Sequence, residues 1–263
     1  MIIKSLRDDL RALVGWTIGL SAFLTMYLGI YGSIKEDPQT YSAQALAKYP
    51  SALRDLMGGM QDIATGTGYL QTVVYQLLVP MLFLVCAMIL ANRAIAGPEE
   101  AGTLELVVAL PVKRRRVVLE RFAALALGLL AVTAVTFAVV WTMTRQVGID
   151  VPFGRLLAAH TGLYLLALFF GTVTLAVGAA TGRKAAASAV LGVWAVLGYM
   201  VVTVGRDVAA VSWLRGVSPF HYYADGRPLY EGLPTGDYLV LAGATAVLAL
   251  TAVLAFDRRD VGV

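Results

Sequence analysis

Six long apolar stretches, at residues 13–31, 70–90, 122–142, 156–180, 185–204 and 238–256, constrain this chain more than any other feature. A helix rising about 1.5 Å per residue needs roughly 20 mostly apolar residues to cross a hydrocarbon layer about 30 Å thick, and each stretch meets that requirement. With 59% apolar and 14% charged residues, the 263-residue chain carries more apolar surface than one aqueous core can hide, so lipid must cover the excess. The expectation is an all-α integral membrane protein forming a single transmembrane domain over residues 1–263.

The first stretch follows Lys4, Arg7 and Arg11, as in a signal peptide, but it is too long and lacks a convincing small-x-small cleavage site; a retained helix is expected. Of the 21 Lys and Arg residues, 13 fall on one side if the N-terminus is inside: Lys4, Arg7, Arg11, Arg93, Lys113, Arg114, Arg115, Arg116, Arg121, Arg183, Lys184, Arg258 and Arg259. Cytoplasmic flanks retain such an excess, so both termini are expected in the cytoplasm. The net charge of +4 reflects this bias, and nucleic acid is a poor partner for it.

Residues 1–12 gather Ile2, Ile3, Leu6 and Leu10 on one helical face, which suits an N-terminal interfacial helix; a cytoplasmic extension of the first span is the alternative. Residues 32–68, outside, read as two short amphipathic helices broken at Pro50. Residues 205–236, also outside, carry Trp213, Phe220, His221, Tyr222, Tyr223 and Tyr230, a composition typical of interfacial anchoring. Helical extracytoplasmic segments are thus expected after the first and fifth spans. Small residues Gly171, Thr174, Gly178 and Gly182, with Ala185, Ser188, Ala189 and Gly192, favour close packing of the fourth and fifth spans.

The inside segment between the second and third spans is the most informative. Gly97 suits a helix end and Pro98 a first helical position, and Glu99 and Glu100 then lie where the helix dipole favours carboxylates. Pro111 closes this helix, and Leu104, Val107 and Val108 share one face. A short amphipathic helix of this kind is what a soluble motor would grip, its apolar face docked in a pocket and its carboxylates on basic rim residues. The residues alone leave open an ordinary solvated, dipole-compatible helix start, and Lys113 to Arg116 equally suit positive-inside anchoring.

The run Glu99-Glu100-Ala-Gly-Thr-Leu-Glu105, followed by Pro111 and a basic residue, resembles the cytoplasmic loop of ABC-2 type permeases, membrane subunits of type V-like ABC exporters. The six-helix order, Ser218-Pro219-Phe220 before the last span and the tail Arg258-Arg259-Asp260 extend the resemblance over nearly the whole chain; Lys113 replaces the small polar residue common there. The resemblance implies a permease whose coupling helix, with Glu99, Glu100, Gly102, Thr103, Leu104 and Glu105, engages ABC ATPase subunits. It also implies a second permease, as a homodimer or heterodimer, with the first and fifth spans nearest that partner. No Gly-x-x-x-x-Gly-Lys-Ser/Thr loop occurs, so ATP and Mg are expected to be used by a separate ATPase, with no cofactor or metal held by this chain. A non-transporting membrane subunit that recruits an ATPase is the alternative.

No acidic or basic residue lies near the middle of a span, which disfavours a proton or ion relay. Thr17, Ser21, Thr25, Gln76, Thr133, Thr136 and Tyr199 are candidate lining residues for a hydrophobic or amphipathic cargo such as a drug or antibiotic, although Thr hydroxyls often bond their own helix. Pro80 is a candidate kink in the span leading to the loop. Cys86, alone, suits burial; His160 and His221, isolated, form no metal motif; and no hydrolase motif is present. Arg at 16 positions against Lys at 5 suggests a GC-rich bacterial source, and hence the bacterial cytoplasmic membrane.

Overall fold

The computed structural model describes residues 2–36, 63, 65–104, 113–204 and 209–259. Among them there is no strand, and six helices are long and apolar enough to cross a membrane. We label the helices α1 (Ile2–Glu36), α2 (Gly66–Leu70), α3 (Leu78–Ala94), α4 (Ala96–Glu100), α5 (Arg114–Gln146), α6 (Phe153–Thr181), α7 (Lys184–Val204), α8 (Pro219–Ala224), α9 (Pro228–Glu231) and α10 (Thr235–Asp257). The second span combines α2, a π-helical segment Gln71–Gln76 and α3. All six expected spans are present. The expected helices around Pro50 lie outside the described residues, as do Glu105, Val107, Val108 and Pro111.

Hydrocarbon offers the backbone no partner, so the spans satisfy their own N–H and C=O groups and tolerate internal glycines. The helices also overrun the apolar stretches wherever no proline or glycine stops them. Thus α1 runs unbroken from Ile2, and the segment expected to lie separately on the interface is its first turns. No proline interrupts residues 2–36, and Arg121 and Arg93 hold this end in place by donating to Ser5 Oγ (2.9 Å) and Asp9 Oδ1 (2.6 Å).

Buried Leu20, Leu24, Leu28 and Tyr31 form an i, i+4 stripe on α1, which packs chiefly on α5 and also on α3. The central helix is α6: 72% of its apolar window is buried, against 17% for α1, and it touches α3, α5, α7 and α10. Its glycines explain how. A Cβ at Gly171 would stand 3.2 Å from Ala87 Cβ and 3.3 Å from Leu125, and one at Gly178 would stand 3.3 Å from Ala96 Cβ. Gly171 thus admits the second and third spans and Gly178 admits α4, while the fourth and fifth spans also pack on each other, as expected. On α7, Gly192 faces open space.

The second span is interrupted near Pro80, the candidate kink, but the break sits upstream. Proline has no N–H to donate and its ring obstructs the carbonyl four residues back, which is that of Gln76. The helix widens to π geometry over Gln71–Gln76, and Leu77 leaves helical geometry at φ −134°, ψ −61°. It then restarts at Leu78, with Pro80 in a first turn that needs no donor. In the π register the carbonyl of Tyr75 points toward residue 80, and the buried hydroxyl of Tyr223 donates to it at 2.7 Å.

After the fifth span come a 3-10 segment Ala209–Val217, α8 and α9. Ser218 caps α8 by accepting from Phe220 N–H (3.3 Å) and donates to Gly198 C=O on α7 (2.8 Å). Pro219 takes the first helical position and Phe220 is buried against Tyr199 and Phe170, ring centroids 5.6 and 5.7 Å away. Phe220 and Tyr223 are thus core residues, correcting the interfacial reading of this aromatic run, while Trp213 is 70% exposed.

Candidate functional site

Both termini lie at one end of the helical bundle, where Arg93 donates to Asp9 and Arg114 to Arg259 C=O, and there the segment that follows the second span is fastened to three other helices. The chain leaves α3 at Ile95 (φ −131°, ψ −64°) and restarts as α4 at Ala96. Gly97 permits this turn: a Cβ would stand 2.9 Å from the Asn92 carbonyl oxygen. Pro98 lies in the first turn, as its missing N–H allows.

Helix α4 then stops after Glu100. Gly102 has φ +68°, its N–H bonds Glu99 C=O (2.9 Å) and Thr103 N–H bonds Pro98 C=O (2.9 Å), the paired bonds of a Schellman cap. The expected continuous helix from Pro98 to Pro111 is therefore interrupted at Gly102, because only a left-handed residue closes both carbonyls. Ala101, Gly102 and Thr103 are exposed. Leu104 is wholly buried in the protein's own core, so its side chain does not point outward as a docking knob.

The acidic pair is engaged. Glu99 accepts from Arg259, just past the end of α10, and Arg259 also donates to Ala179 C=O on α6 (3.2 Å). The side chains of Glu99 and Arg259 are only 14% and 25% exposed, so this pair is shielded from solvent more than a typical surface pair. Gly182, the α6 cap at φ +67°, makes room, since a Cβ there would overlap both partners. The second oxygen of Glu99 is buried without a hydrogen-bond partner among the described residues.

Glu100 caps the start of α7, accepting from Lys184 N–H at 2.7 Å and from Lys184 Nζ at 3.1 Å. These bonds, the backbone one foremost, hold its carboxyl below the usual glutamate value. Further ties brace the same face: Arg114 donates to Arg259 C=O (2.6 Å), Arg115 pairs with Asp257 (2.8 Å), and Asn92 donates to Ser188 on α7 (2.8 Å). Displacing α4 thus pulls directly on α6, α7 and α10.

The candidate lining residues do not converge. Thr133 and Thr136 are buried in α5 and donate to their own helix at Leu129 and Val132 C=O (2.8 and 2.9 Å). Tyr199 is buried against Phe220. Gln76 ends the π segment, 3.5 Å from Gln71 Nε2. Thr17, Ser21 and Thr25 alone form a stripe, on one face of α1; Thr17 bonds Leu13 C=O (2.7 Å) and Ser21 Oγ is buried without a partner among the described residues.

Toward the opposite face lies a buried polar cluster that span-by-span reading of isolated histidines does not find. Tyr75 Oη and His160 Nδ1 share a 2.5 Å hydrogen bond, with Phe137 edge-on to the imidazole. Lys184, Gly182 and Arg259 likewise escaped residue-level reading as partners of the loop, since their link to it is spatial. Cys86 is buried, and no group of three His, Cys, Asp or Glu able to hold a metal occurs among the described residues.

A family model described as ABC-2 family transporter protein matches residues 1–261. No curated protein matches the chain.

Proposed function

Because the chain belongs to the ABC-2 transporter family, and is thus a multi-pass membrane component of an ABC transporter, we propose that it is an exporter permease driven through residues 96–104 by a separate ATPase. The family generally works with ABC ATPase partners. The observation that carries the proposal is the bracing of α4: Glu99 and Glu100 link it to the ends of α10 and α7, while the exposed turn at Ala101 to Thr103 is left to meet a partner. A lever needs such attachment at one end and a free surface at the other.

In this reading the termini and residues 96–104 face the cytoplasm of a bacterium, consistent with the Lys and Arg distribution, and the ATPase uses ATP and Mg. A second permease packs near α1 and α7. Both helices present apolar side chains to their surroundings, Val14, Ile18 and Met26 on one and Val193, Leu197 and Met200 on the other, and Gly15, Gly19 and Gly192 leave open space. The cargo is a small hydrophobic or amphipathic compound such as a drug or antibiotic, with Thr17, Ser21 and Thr25 the lining candidates best placed.

Inside-out vesicles holding the chain and its ATPase test this reading through ATP-driven uptake of a fluorescent amphipathic dye. Replacing Gly102 with Pro, which disrupts the cap, is expected to abolish uptake while the protein remains in the membrane. Uptake unchanged by the substitution contradicts the lever, and ATP hydrolysis by the purified chain alone contradicts the division of labour.

A further inference from the structure

The second span is divided at Leu77, and its two parts are held by different neighbours. On the α4 side of the break, α3 packs closely on α6, where Ala87 Cβ would stand 3.2 Å from a Cβ at Gly171, and Asn92 ties it to α7 through Ser188 (2.8 Å). On the other side, three tyrosine hydroxyls fasten residues 66–76. Tyr69 donates to Tyr27 C=O on α1 (2.5 Å), Tyr75 bonds His160 Nδ1 on α6 (2.5 Å), and Tyr223 of α8 donates to Tyr75 C=O (2.7 Å). We propose that this span has two hydrogen-bond registers and that Tyr223 selects the π one, so that docking of α8 and rotation of residues 66–76 form a single switch.

Pro80 sets up the choice. In the α register residue 80 faces the Gln76 carbonyl, and proline supplies no N–H there. In the π register residue 80 faces the Tyr75 carbonyl instead, and is again no donor. Either register therefore leaves one carbonyl open within the membrane, where there is no water to bond it. The Tyr223 hydroxyl closes the one at Tyr75, so its bond counts for the π register alone. Tyr75 and Tyr223 are 2% and 3% exposed, which keeps competing water away from that bond. Without it the balance passes to the α register, since the wider π turn is rare on its own account.

The switch has a defined stroke. A π turn holds about one residue more than an α turn, so conversion rotates residues 66–76 by about 100° and lengthens the span by about 1.5 Å. Because α3 is fixed on α6 and α7, the turns beyond Leu77 do the rotating. Tyr75 then leaves His160, and Tyr69 leaves the Tyr27 carbonyl. Helix α8 is placed to control this, for Ser218 seats it on α7 through Gly198 C=O (2.8 Å) and Phe220 seats it on α6, its ring 5.7 Å from that of Phe170. Any displacement of α8 from that seat withdraws the Tyr223 hydroxyl and frees the turn.

The chain contains two histidines, so the imidazole of His160 reports the register. In the full chain carrying isotopically labelled histidine, reconstituted in phosphatidylcholine vesicles, solid-state nitrogen NMR reads the His160 Nδ1 signal. His221→Gln assigns the other histidine, and Tyr75→Phe marks where the signal falls without its bond. Tyr223→Phe, which removes a bond to a backbone carbonyl and none to the imidazole, should bring out a second signal at the Tyr75→Phe position. Combined with Pro80→Ala, which restores the donor of the α register, it should move the whole signal there. Tyr222→Phe, on the same helix with its hydroxyl on Gly216 C=O (2.9 Å), should leave the signal in place. A signal that keeps the parent position in both Tyr223 variants, whether or not they melt lower, overturns the proposal, as does an equal shift in Tyr222→Phe. Pro80→Ala alone keeps every side chain of the cluster and decides the matter should the Tyr223 variants fail to fold: a second signal is expected, and the parent signal alone refutes the switch. None of these outcomes depends on the permease driving transport.

Discussion

Substituting Gly182 with Ala probes the junction where residues 96–104 meet the rest of the protein. Gly182 sits at φ +67°, and holding an L residue there costs about 1–2 kcal/mol. The new Cβ would also overlap both Glu99 and Arg259, so their ion pair must open. Pairs on the surface contribute about 0–1 kcal/mol, and breaking a fully buried one costs about 3–5 kcal/mol. With side chains 14% and 25% exposed, this pair falls between those limits, at about 2 kcal/mol. The total, about 3 kcal/mol, corresponds to a fall in Tm of about 6–12 °C for a chain of this size. Thermal unfolding of the detergent-solubilised protein measures it, with Arg259→Gln as the comparison that loses the pair but keeps the glycine. The expected order of stability is parent, then Arg259→Gln, then Gly182→Ala. If Gly182→Ala melts with the parent, or no lower than Arg259→Gln, the reasoning about this junction fails.

Ser218→Ala removes a buried hydroxyl that serves α7 and α8 at once, and should destabilise the protein by about 2 kcal/mol in the same melt; no change would show that the Ser-Pro-Phe turn is held by Phe220 alone. A Cβ at Gly162 would stand 2.7 Å from Cζ of Tyr238, whose hydroxyl donates to Ala158 C=O at 2.9 Å. Gly162→Ala should therefore cost about 1–2 kcal/mol, overpacking outweighing the roughly 1 kcal/mol gained in helix propensity. The carboxyl of Glu100 is held below its ordinary 4.5, so the stability it contributes is fully present above that value and is lost as pH falls through the lowered one. Melting followed downward from about pH 6 should show a fall below pH 4.5 that is smaller in Glu100→Gln; parallel profiles would disprove the Lys184 cap.

The six spans were legible because hydrocarbon imposes a length and an apolarity that a sequence either has or lacks. Their ends were not. Hydropathy reports only the lipid-crossing part, while α1 continues to Ile2 and α5 reaches from Arg114 to Gln146. Pro80 announced a break, but its displacement to Leu77 follows from the Gln76 carbonyl it obstructs and the π turn that relieves it. In residues 96–104, glycine, proline and paired carboxylates marked a helix start, and Gly102 was visible without its φ. The partners of Glu99 and Glu100 lie 160 and 84 residues away, beyond any local pattern. Thr133 and Thr136 show the converse: a hydroxyl in a span reads identically whether it faces a pathway or bonds its own preceding turn, and here both bond the turn.

Coupling through residues 96–104 requires contact between the turn at Ala101 to Thr103 and a nucleotide-hydrolysing partner. With Cys86→Ala removing the single native thiol, Thr103→Cys carrying a photoactivatable crosslinker can be irradiated in membranes that contain the ATPase. The expected result is a covalent adduct with the ATPase, formed only when reagent reaches the face that bears the termini. An adduct with lipid alone, or labelling of residue 103 by an impermeant thiol reagent from outside intact cells, would contradict it.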